Sequence, residues 1–179
     1  MLFTRKGDGG TSGLFDTSER FSKDAPIFEA LGTVDELNAL LGFCFLRGDT
    51  IPSPIDRSFA EIIRSVQEDL FIVQAELAGT EKTLLKRHVE TLEATIAAIE
   101  EAIENPHAFV IAGTTELSTL FDYTRTVSRR AERRVVAAKP MRTLSAETYQ
   151  YLNRLSSLLY ALARCAAQRA NEEETKPSY

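Results

Sequence analysis

The amino-acid sequence predicts an all-α, up-and-down bundle of five helices behind a glycine-rich N-terminal loop. Five segments repeat apolar residues every three or four positions, which places those residues on one face of a helix. Short connections separate the segments, and four glycines cluster between Gly7 and Gly13 ahead of them. We therefore expect a single domain of 179 residues, with a loop over 1–26, the bundle over 27–170 and a polar tail over 171–179.

The composition excludes several classes of protein. Hydrophobic residues make up 44% of the chain, which holds only 9 Gly and 6 Pro, so collagen-like and disordered chains are excluded. No apolar run approaches the roughly 18–20 residues of a membrane span, and the first residues lack the apolar stretch of a signal peptide. We expect a cytoplasmic protein that does not contact a membrane.

Cysteine content and net charge narrow the choice further. Cys44 and Cys165 lie far apart, each in an apolar stretch, which favours buried, reduced thiols over a disulfide. The formal net charge of −5 argues against a nucleic-acid partner, because nucleic-acid-binding proteins carry a basic surface.

The first 26 residues show no helical repeat and are predicted to form a loop or short strand. The first helix is predicted to begin at Thr33, because T-V-D-E from that residue matches a capping box, and to run towards Gly48. The second is predicted to begin at Ser53-Pro54, which supplies a capping serine and a proline for the first turn.

Apolar spacing defines the buried faces of helices two to five. The four stripes comprise Phe59, Ile62, Val66, Leu70, Val73 and Leu77; Val89, Leu92, Ile96, Ile99 and Ile103; Leu117, Leu120, Thr124, Val127, Ala131 and Val135; and Leu152, Leu155, Leu159, Leu162 and Ala166. The third helix is predicted to end near Asn105-Pro106 and the fourth before Pro140, and Ser145 is predicted to cap the fifth.

The segment from Thr4 to Gly13 departs from what a plain bundle needs. It combines cations, hydroxyls and glycines, whose free backbone can turn several amides towards one anion, as in a nest for phosphate oxygens. The P-loop pattern is absent, and the pattern G-x-G-x-x-G fails at Ser12. A flexible N-terminus with a turn is the alternative interpretation.

An arginine cluster marks the fourth helix. Arg125, Arg129 and Arg133 recur every four residues, with Arg130 and Arg134 beside them. Like charges four apart cost about 0.2–0.5 kcal/mol per pair, so an anion should compensate them. A polyphosphate or the carboxylates of a neighbouring subunit would fit, and an exposed, solvated face is the alternative. The opposite charge lies elsewhere, because residues 90–116 hold six acidic and no basic side chains.

Other candidates carry weaker signals. His88 and His107 lie far apart without cysteine or histidine at metal-ligand spacing, so no metal site is predicted. The apolar run of residues 109–111 is predicted to be core rather than site. Asn153, which lies between apolar neighbours, is predicted to be a buried amide that contacts a loop or a ligand.

Four segments in order and spacing resemble the PduO-type ATP:corrinoid adenosyltransferases, known as ATP:cob(I)alamin adenosyltransferases. They are T-R-K-G-D-G-G from Thr4, F-E-A-L-G-T-V-D-E-L-N from Phe28, R-R-A-E-R-R-V from Arg129 and Y-L-N-R-L-S from Tyr151. The resemblance covers roughly residues 3–168. It implies a five-helix bundle that assembles as a homotrimer, with active sites between subunits.

The resemblance also implies which residues bind ATP. The N-terminal loop of one subunit would contribute Thr4, Arg5, Lys6, Gly7, Ser12, Gly13 and Lys23, and the neighbouring subunit would contribute Arg129, Arg130, Glu132, Arg133 and Asn153. Arg125 would pair with Asp35 across the subunit interface.

In the reaction that the resemblance implies, Co(I) of a reduced corrinoid attacks C5′ of ATP, which gives adenosylcobalamin and inorganic triphosphate. Arg129, Arg133 and Mg²⁺ would stabilise the departing triphosphate. Phe109 would contact the corrinoid and displace its lower axial ligand, so that Co(II) can be reduced. The catalytic residues implied are therefore Arg129, Arg133 and Phe109. A corrinoid reductase and a B12-dependent acceptor enzyme are the further partners that it suggests.

Two hypotheses from other classes compete with an enzyme. One is a non-catalytic trimeric protein that binds ATP or corrinoid and delivers or senses the cofactor. The other is a structural bundle whose arginines only form salt bridges between subunits, which predicts no affinity for ATP.

Overall fold

A computed structural model describes residues 3–179, and within them five α-helices follow a two-stranded antiparallel sheet. The elements are β1 (Thr11–Gly13), β2 (Arg20–Ser22), α1 (Pro26–Arg47), α2 (Phe59–Leu77), α3 (Lys86–Ala102), α4 (Glu116–Ala137) and α5 (Ala146–Arg169). The prediction of five helices behind an N-terminal loop or strand is confirmed.

The core lies where the apolar stripes meet. All six predicted stripe residues of α2 are buried, and Leu152, Leu155, Leu159, Leu162 and Ala166 of α5 are at most 1% exposed. Helix α4 packs between α1 and α5, while α2 packs on α1 and α3 on α5. The packing order therefore differs from the chain order, and α4 lies between two helices while Arg129 and Arg133 remain exposed.

The first helix begins earlier than predicted. Helix α1 starts at Pro26, which suits a first turn because a proline lacks only an amide that is unpaired there anyway. Thr33 lies inside the helix, where its hydroxyl donates to the Glu29 carbonyl at 2.6 Å. A threonine hydroxyl can bond the preceding turn as well as cap a helix, so the pattern at Thr33 did not mark a start.

The start of the second helix is also wrong, by about one and a half turns. Helix α2 begins at Phe59, and its capping serine is Ser58 rather than Ser53. A capping box is present there: the Glu61 amide donates to Ser58 Oγ at 3.1 Å, and the Ser58 amide donates to Glu61 Oε2 at 2.8 Å. The predicted cap of α5 is confirmed, since Ser145 accepts a hydrogen bond from the Thr148 amide.

Both cysteines are free and buried, as predicted. Burial raises the pKa of the Cys44 thiol, and it raises that of Cys165 to about 11, so both thiols are protonated at neutral pH. No helix among residues 3–179 is long and apolar enough to cross a membrane.

Candidate functional site

The predicted phosphate-binding segment forms a series of tight turns. We call residues 4–10 the phosphate loop and residues 11–23 the hairpin. Within the loop, the Asp8 amide donates to the Arg5 carbonyl and the Gly10 amide to the Gly7 carbonyl. Arg5 and Gly10 adopt positive φ angles of 59° and 76°, and a glycine takes such an angle without steric cost. The loop exposes its side chains, including those of Thr4 and Lys6.

Lys23 lies against the phosphate loop although it is distant in sequence. A Cβ atom on Gly7 would lie 3.1 Å from Lys23 Nζ, so the missing side chain lets the ammonium approach the backbone. The Lys23 amide also donates to the Gly10 carbonyl at 2.9 Å. Ser12 and Gly13, by contrast, lie in β1, paired with β2. The structure thus brings Lys23 to the loop and places Ser12 and Gly13 in its supporting strand.

Arg20 organises this region, although it belongs to no recognisable sequence motif. Its Nη2 donates to the carbonyls of Lys6 and Thr11, both at 2.8 Å, and its Nε donates to Thr11 Oγ1 at 3.0 Å. Because its donors are used on the backbone, Arg20 holds the loop against the hairpin. Its role follows from the strand register, which places it opposite Gly13.

The α4 arginines divide into two groups. Arg130 forms an ion pair with Glu36, and Arg134 Nε lies 3.7 Å from Glu29 Oε2, both carboxylates being on α1. These partners lie on a different helix, so the carboxylates of helix four alone do not reveal them. Arg129 and Arg133 are exposed, and neither forms an ion pair within residues 3–179.

Glu132 and Asn153 connect α4 to α5. Asn153 Nδ2 donates to Glu132 Oε1 at 3.0 Å, and Arg154 Nη1 donates to Asn153 Oδ1 at 2.9 Å. The prediction that Asn153 is buried is wrong: Leu152 is buried, but the next residue lies about 100° further around the helix and is exposed. The amide therefore orients the carboxylate that stands among the arginines.

The remaining interface candidates have separate partners within the chain. Asp35 accepts a hydrogen bond from Gln74 at 3.3 Å. Arg125 Nε lies 3.7 Å from Asp122 Oδ1, at the edge of a buried cluster in which Arg164 binds Asp122. No hydrogen bond or ion pair within the described residues joins the phosphate loop to α4.

The loop between α3 and α4, residues 103–115, exposes two large apolar side chains. Phe109 is 80% exposed and Ile111 is 51% exposed, so the prediction that this run belongs to the core is wrong. Residues 104–115 form no helix and pass over the surface of the bundle. Their backbone therefore does not direct three consecutive side chains into the core. Beside Phe109 lies a cavity of about 530 Å³, which residues 107–110, Asp122, Arg125, Tyr160 and Arg164 line.

Contacts from α5 and the tail hold this loop, and we call it the Phe109 loop. The Glu104 amide donates to Gln168 Oε1 at 3.0 Å, and the Ile111 amide donates to the Thr175 carbonyl at 2.9 Å. The side chain of Arg164, only 3% exposed, lies 3.0 Å from Glu174 Oε1 in the tail. Arg164 was missed, although it is the one charged residue in the apolar stretch 155–167 and could have been noticed.

The two histidines lie in different surroundings. His88 Nδ1 accepts from the Leu85 amide at 2.8 Å, and its Nε2 lies 3.9 Å from Asp69 Oδ1, where burial raises the pKa of Asp69. His107 lines the cavity beside Phe109. Among residues 3–179, no three His, Cys, Asp or Glu side chains are grouped so that they could hold a metal ion.

Comparison with known proteins finds one family and relatives that share its name. The sequence model of the family described as cobalamin adenosyltransferase matches residues 2–166. The corrinoid adenosyltransferase PduO of Salmonella typhimurium is 35% identical over 178 residues, which is 96% of this chain and 51% of that protein. A corrinoid adenosyltransferase of Citrobacter freundii is 36% identical over 183 residues, 98% of this chain and 96% of that protein. The chain thus spans about half the length of the Salmonella relative.

A solved structure has the same fold. It is a variant of the PduO-type ATP:corrinoid adenosyltransferase of Lactobacillus reuteri, complexed with cobalamin and ATP. It superposes with a TM-score of 0.89 at 23% identity and covers all of both chains. At this identity the likeness shows the fold.

Proposed function

The chain belongs to the cobalamin adenosyltransferase family, and we propose that it transfers the 5′-deoxyadenosyl group of ATP to Co(I) of a reduced corrinoid. The electron pair of Co(I) forms the bond to C5′, while the C5′–O bond breaks and its electron pair leaves with inorganic triphosphate. The products are adenosylcobalamin and triphosphate.

The observation that carries this proposal is that Arg129 and Arg133 are exposed and unpaired among the described residues. In a helix where Arg130 and Arg134 are matched by carboxylates of α1, these two exposed cations have no acidic partner among the described residues. They lie one turn apart on one face, and such guanidinium pairs suit the oxygens of a polyphosphate. Relatives named corrinoid adenosyltransferases support this proposal, because transfer of an adenosyl group from ATP would release the three phosphates together.

The chemistry asks for positioning and charge rather than acid–base catalysis. The nucleophile is the substrate's own cobalt, so the protein must hold two reactants together and stabilise the departing negative charge. The exposed cations of the phosphate loop and of α4 can do this. Glu132, fixed by Asn153, can orient its arginine neighbours.

The two groups of ATP-binding candidates support a site between subunits. Neither a hydrogen bond nor an ion pair joins the phosphate loop to α4 within residues 3–179. In a homotrimer, the loop of one subunit would face Arg129 and Arg133 of the next, with Asp35 and Arg125 at the same interface. Arg125 keeps a contact of only 3.7 Å within its own chain and retains donors for such a pairing.

Mg²⁺ would accompany ATP as a counterion of its phosphates. Magnesium keeps several waters and needs one or two carboxylates besides phosphate oxygens, so a dedicated protein cage is not required. Glu132 fits this role, because Asn153 occupies only one of its carboxylate oxygens. When bound, the ion would supply positive charge beside the departing triphosphate.

The corrinoid would lie against the Phe109 loop. Phe109 is a large apolar side chain held 80% exposed beside a cavity, and such a side chain can cover the lower face of a planar macrocycle and keep a polar ligand away from the metal. We assign it the displacement of the lower axial ligand, which makes reduction of Co(II) easier.

An anaerobic optical assay tests the proposed function. Cob(I)alamin mixed with the protein and MgATP should give the spectrum of adenosylcobalamin, with one triphosphate released per product formed. Binding of ATP without product or triphosphate would instead indicate the delivery or sensor protein. Absence of ATP binding would leave only a structural bundle.

A further inference from the structure

Three segments that are far apart in the sequence meet at Gly79: the turn of the hairpin, the end of α2 and the turn between α4 and α5. There Arg142 donates two parallel hydrogen bonds to Asp16, Nη1 to Oδ2 at 2.8 Å and Nη2 to Oδ1 at 2.9 Å. A bidentate pair of this kind fixes orientation as well as distance. Beside it, the Phe15 amide donates to the Ala78 carbonyl at 2.8 Å.

Gly79 is shaped to receive this ion pair. Its φ angle is +95°, which a glycine adopts without strain. A Cβ atom at this position would lie 2.4 Å from the Asp16 carboxylate and 2.8 Å from Arg142 Nη2. The positive φ angle and the lack of space for a Cβ atom each require glycine at this position. The ion pair can therefore lie directly against the backbone that follows α2.

The turn between α4 and α5, which carries Arg142, is itself held by hydrogen bonds. Glu76 of α2 accepts hydrogen bonds from the Ser145 amide and from Thr148 Oγ1, both at 2.6 Å. These bonds attach the first turn of α5 to the end of α2. Arg142, three residues before Ser145, thus extends from a fixed turn, and its side chain is 21% exposed.

The backbone of residues 13–16 connects Asp16 to the strand pairing, and hydrogen bonds lead from there to the phosphate loop. The hairpin pairs Gly13 with Arg20 and Thr11 with Ser22. Beyond the ladder, Arg20 binds the Lys6 carbonyl, and the Lys23 amide binds the Gly10 carbonyl. A movement of the hairpin turn would therefore be transmitted to the loop.

The hairpin depends on this anchor because it is too small to be stable by itself. Each strand has three residues, whereas an isolated two-stranded hairpin is at best marginally stable in water. Leu14 packs against the core, Thr11, Ser12 and Phe21 are half-buried, and the other side chains of the hairpin are exposed. Its position on the bundle must come from contacts at its turn.

We propose that Asp16 and Arg142 are positioning residues for ATP: their ion pair, seated on Gly79, sets the position of the hairpin and through it that of the phosphate loop. The proposal rests on the proposed function in taking ATP as the ligand of that loop. The pair does not touch the nucleotide. It acts on ATP binding and leaves the corrinoid side unchanged.

Three full-length variants test the anchor without requiring activity: Asp16→Asn, Arg142→Gln and the double variant. Glu19→Gln is the matched control, because it removes a carboxylate from the same hairpin turn, where Glu19 is exposed. Hydrogen exchange of the ligand-free protein, followed by mass spectrometry, should be faster over residues 3–22 in the three variants by about threefold or more. The control should exchange like wild type.

A second measurement tests the consequence for ATP. In the adenosylation assay, each single variant should raise KM for ATP about threefold or more, with KM for cob(I)alamin and kcat unchanged. The double variant should be no worse than the more affected single variant, because both changes remove one interaction. A residue with only a general structural role would change kcat and both KM values together.

The outcomes separate the two proposals. Exchange that is unchanged in Asp16→Asn, or equally fast in Glu19→Gln, overturns the anchor. Multiplicative effects in the double variant, or an equal rise in KM for the corrinoid, overturn the positioning role. If wild-type protein forms no adenosylcobalamin, the proposed function fails, while the exchange measurement still decides whether the pair holds the hairpin.

Discussion

The hairpin and the Phe109 loop are two irregular segments on one bundle, and they are held in opposite ways. The hairpin is fastened by a partly exposed ion pair and by backbone bonds, and it supports the phosphate loop, where Lys6 and the adjacent Lys23 are exposed. The Phe109 loop is fastened by a buried cluster around Arg164, and it presents an exposed phenylalanine.

The difference matches the two ligands of the proposed reaction. A triphosphate is bound by donors and charge, which work at a hydrated surface. A planar macrocycle is bound by apolar area, so its loop must expose a side chain that would otherwise be buried. Such a loop needs firm support, and the buried cluster supplies it. The predictions below test this division, from the largest effect to the smallest.

The largest effect is expected on the nucleotide side of α4. Replacing Arg129 or Arg133 by alanine should lower turnover more than tenfold, a loss of about 1.4 kcal/mol in transition-state stabilisation. Arg134→Ala is the control, because that arginine already faces Glu29 and should leave turnover nearly unchanged. Steady-state assays with cob(I)alamin and ATP measure both. Wild-type turnover in both Arg129→Ala and Arg133→Ala would refute the triphosphate site on this helix.

A smaller and more selective effect is expected on the corrinoid side. Phe109→Ala should slow the reaction that starts from Co(II) by about tenfold, and the reaction that starts from prereduced Co(I) by much less, because only the former needs the lower ligand displaced. Phe71→Ala removes another exposed phenylalanine, which is 65% exposed on α2, and should affect neither assay. Equal losses in both assays would contradict the role of Phe109 in ligand displacement.

Release of the tail should have a weaker effect on the same side. Glu174→Lys places a cation beside the buried Arg164 and should detach the tail, which removes the Thr175 carbonyl from the Ile111 amide. We expect KM for the corrinoid to rise about two- to threefold, with KM for ATP unchanged. The exposed Glu173 provides the control Glu173→Lys. A rise in KM for ATP instead would show that the two loops are not held independently.

The smallest effect is a difference in pH dependence. Arg142 lowers the pKa of Asp16 below its usual value of 3.8, so the hairpin contact is complete above that value and is lost as the pH falls through the lowered pKa. Burial raises the pKa of Glu174 above 4.5, although Arg164 offsets part of that rise. The docked tail therefore binds a proton more tightly than the free tail, and docking strengthens as the pH falls through the raised pKa.

Hydrogen exchange corrected for its intrinsic pH dependence measures this difference. Between about pH 6 and pH 4.5, protection of residues 106–112 should hold or increase, while that of residues 11–22 stays constant. Protection of the hairpin should fall only below about pH 4. Loss of protection in the Phe109 loop at the higher pH would show that its support depends on an ionised Glu174.

The sequence predicted the bundle well because apolar spacing reports directly on helix faces. The apolar stripes of α2 and α5 are buried as predicted, and Ser145 caps α5 as predicted. The predicted helix starts at Thr33 and Ser53 are wrong. A serine or threonine near a glutamate or a proline occurs inside helices and in loops as well as at helix caps.

The sequence identifies candidate site residues by type and spacing, but it does not identify the side chains with which they pair. Periodicity located the arginines, but the pairing of Arg130 and Arg134 with α1 depends on which helices pack together, and that is not encoded within one helix. Arg20, Asp16 and Arg142 could not be found for the same reason, because their contacts join segments up to 126 residues apart.

The central claim is that one site combines the phosphate loop with the arginine helix of a neighbouring subunit. A crystal structure of the full-length protein with MgATP and cob(II)alamin tests it most directly. We predict a trimer in which the triphosphate lies between Lys6 and Lys23 of one subunit and Arg129 and Arg133 of the next, with Phe109 against the corrin. Triphosphate bound within a single chain, away from Arg129 and Arg133, would contradict the account.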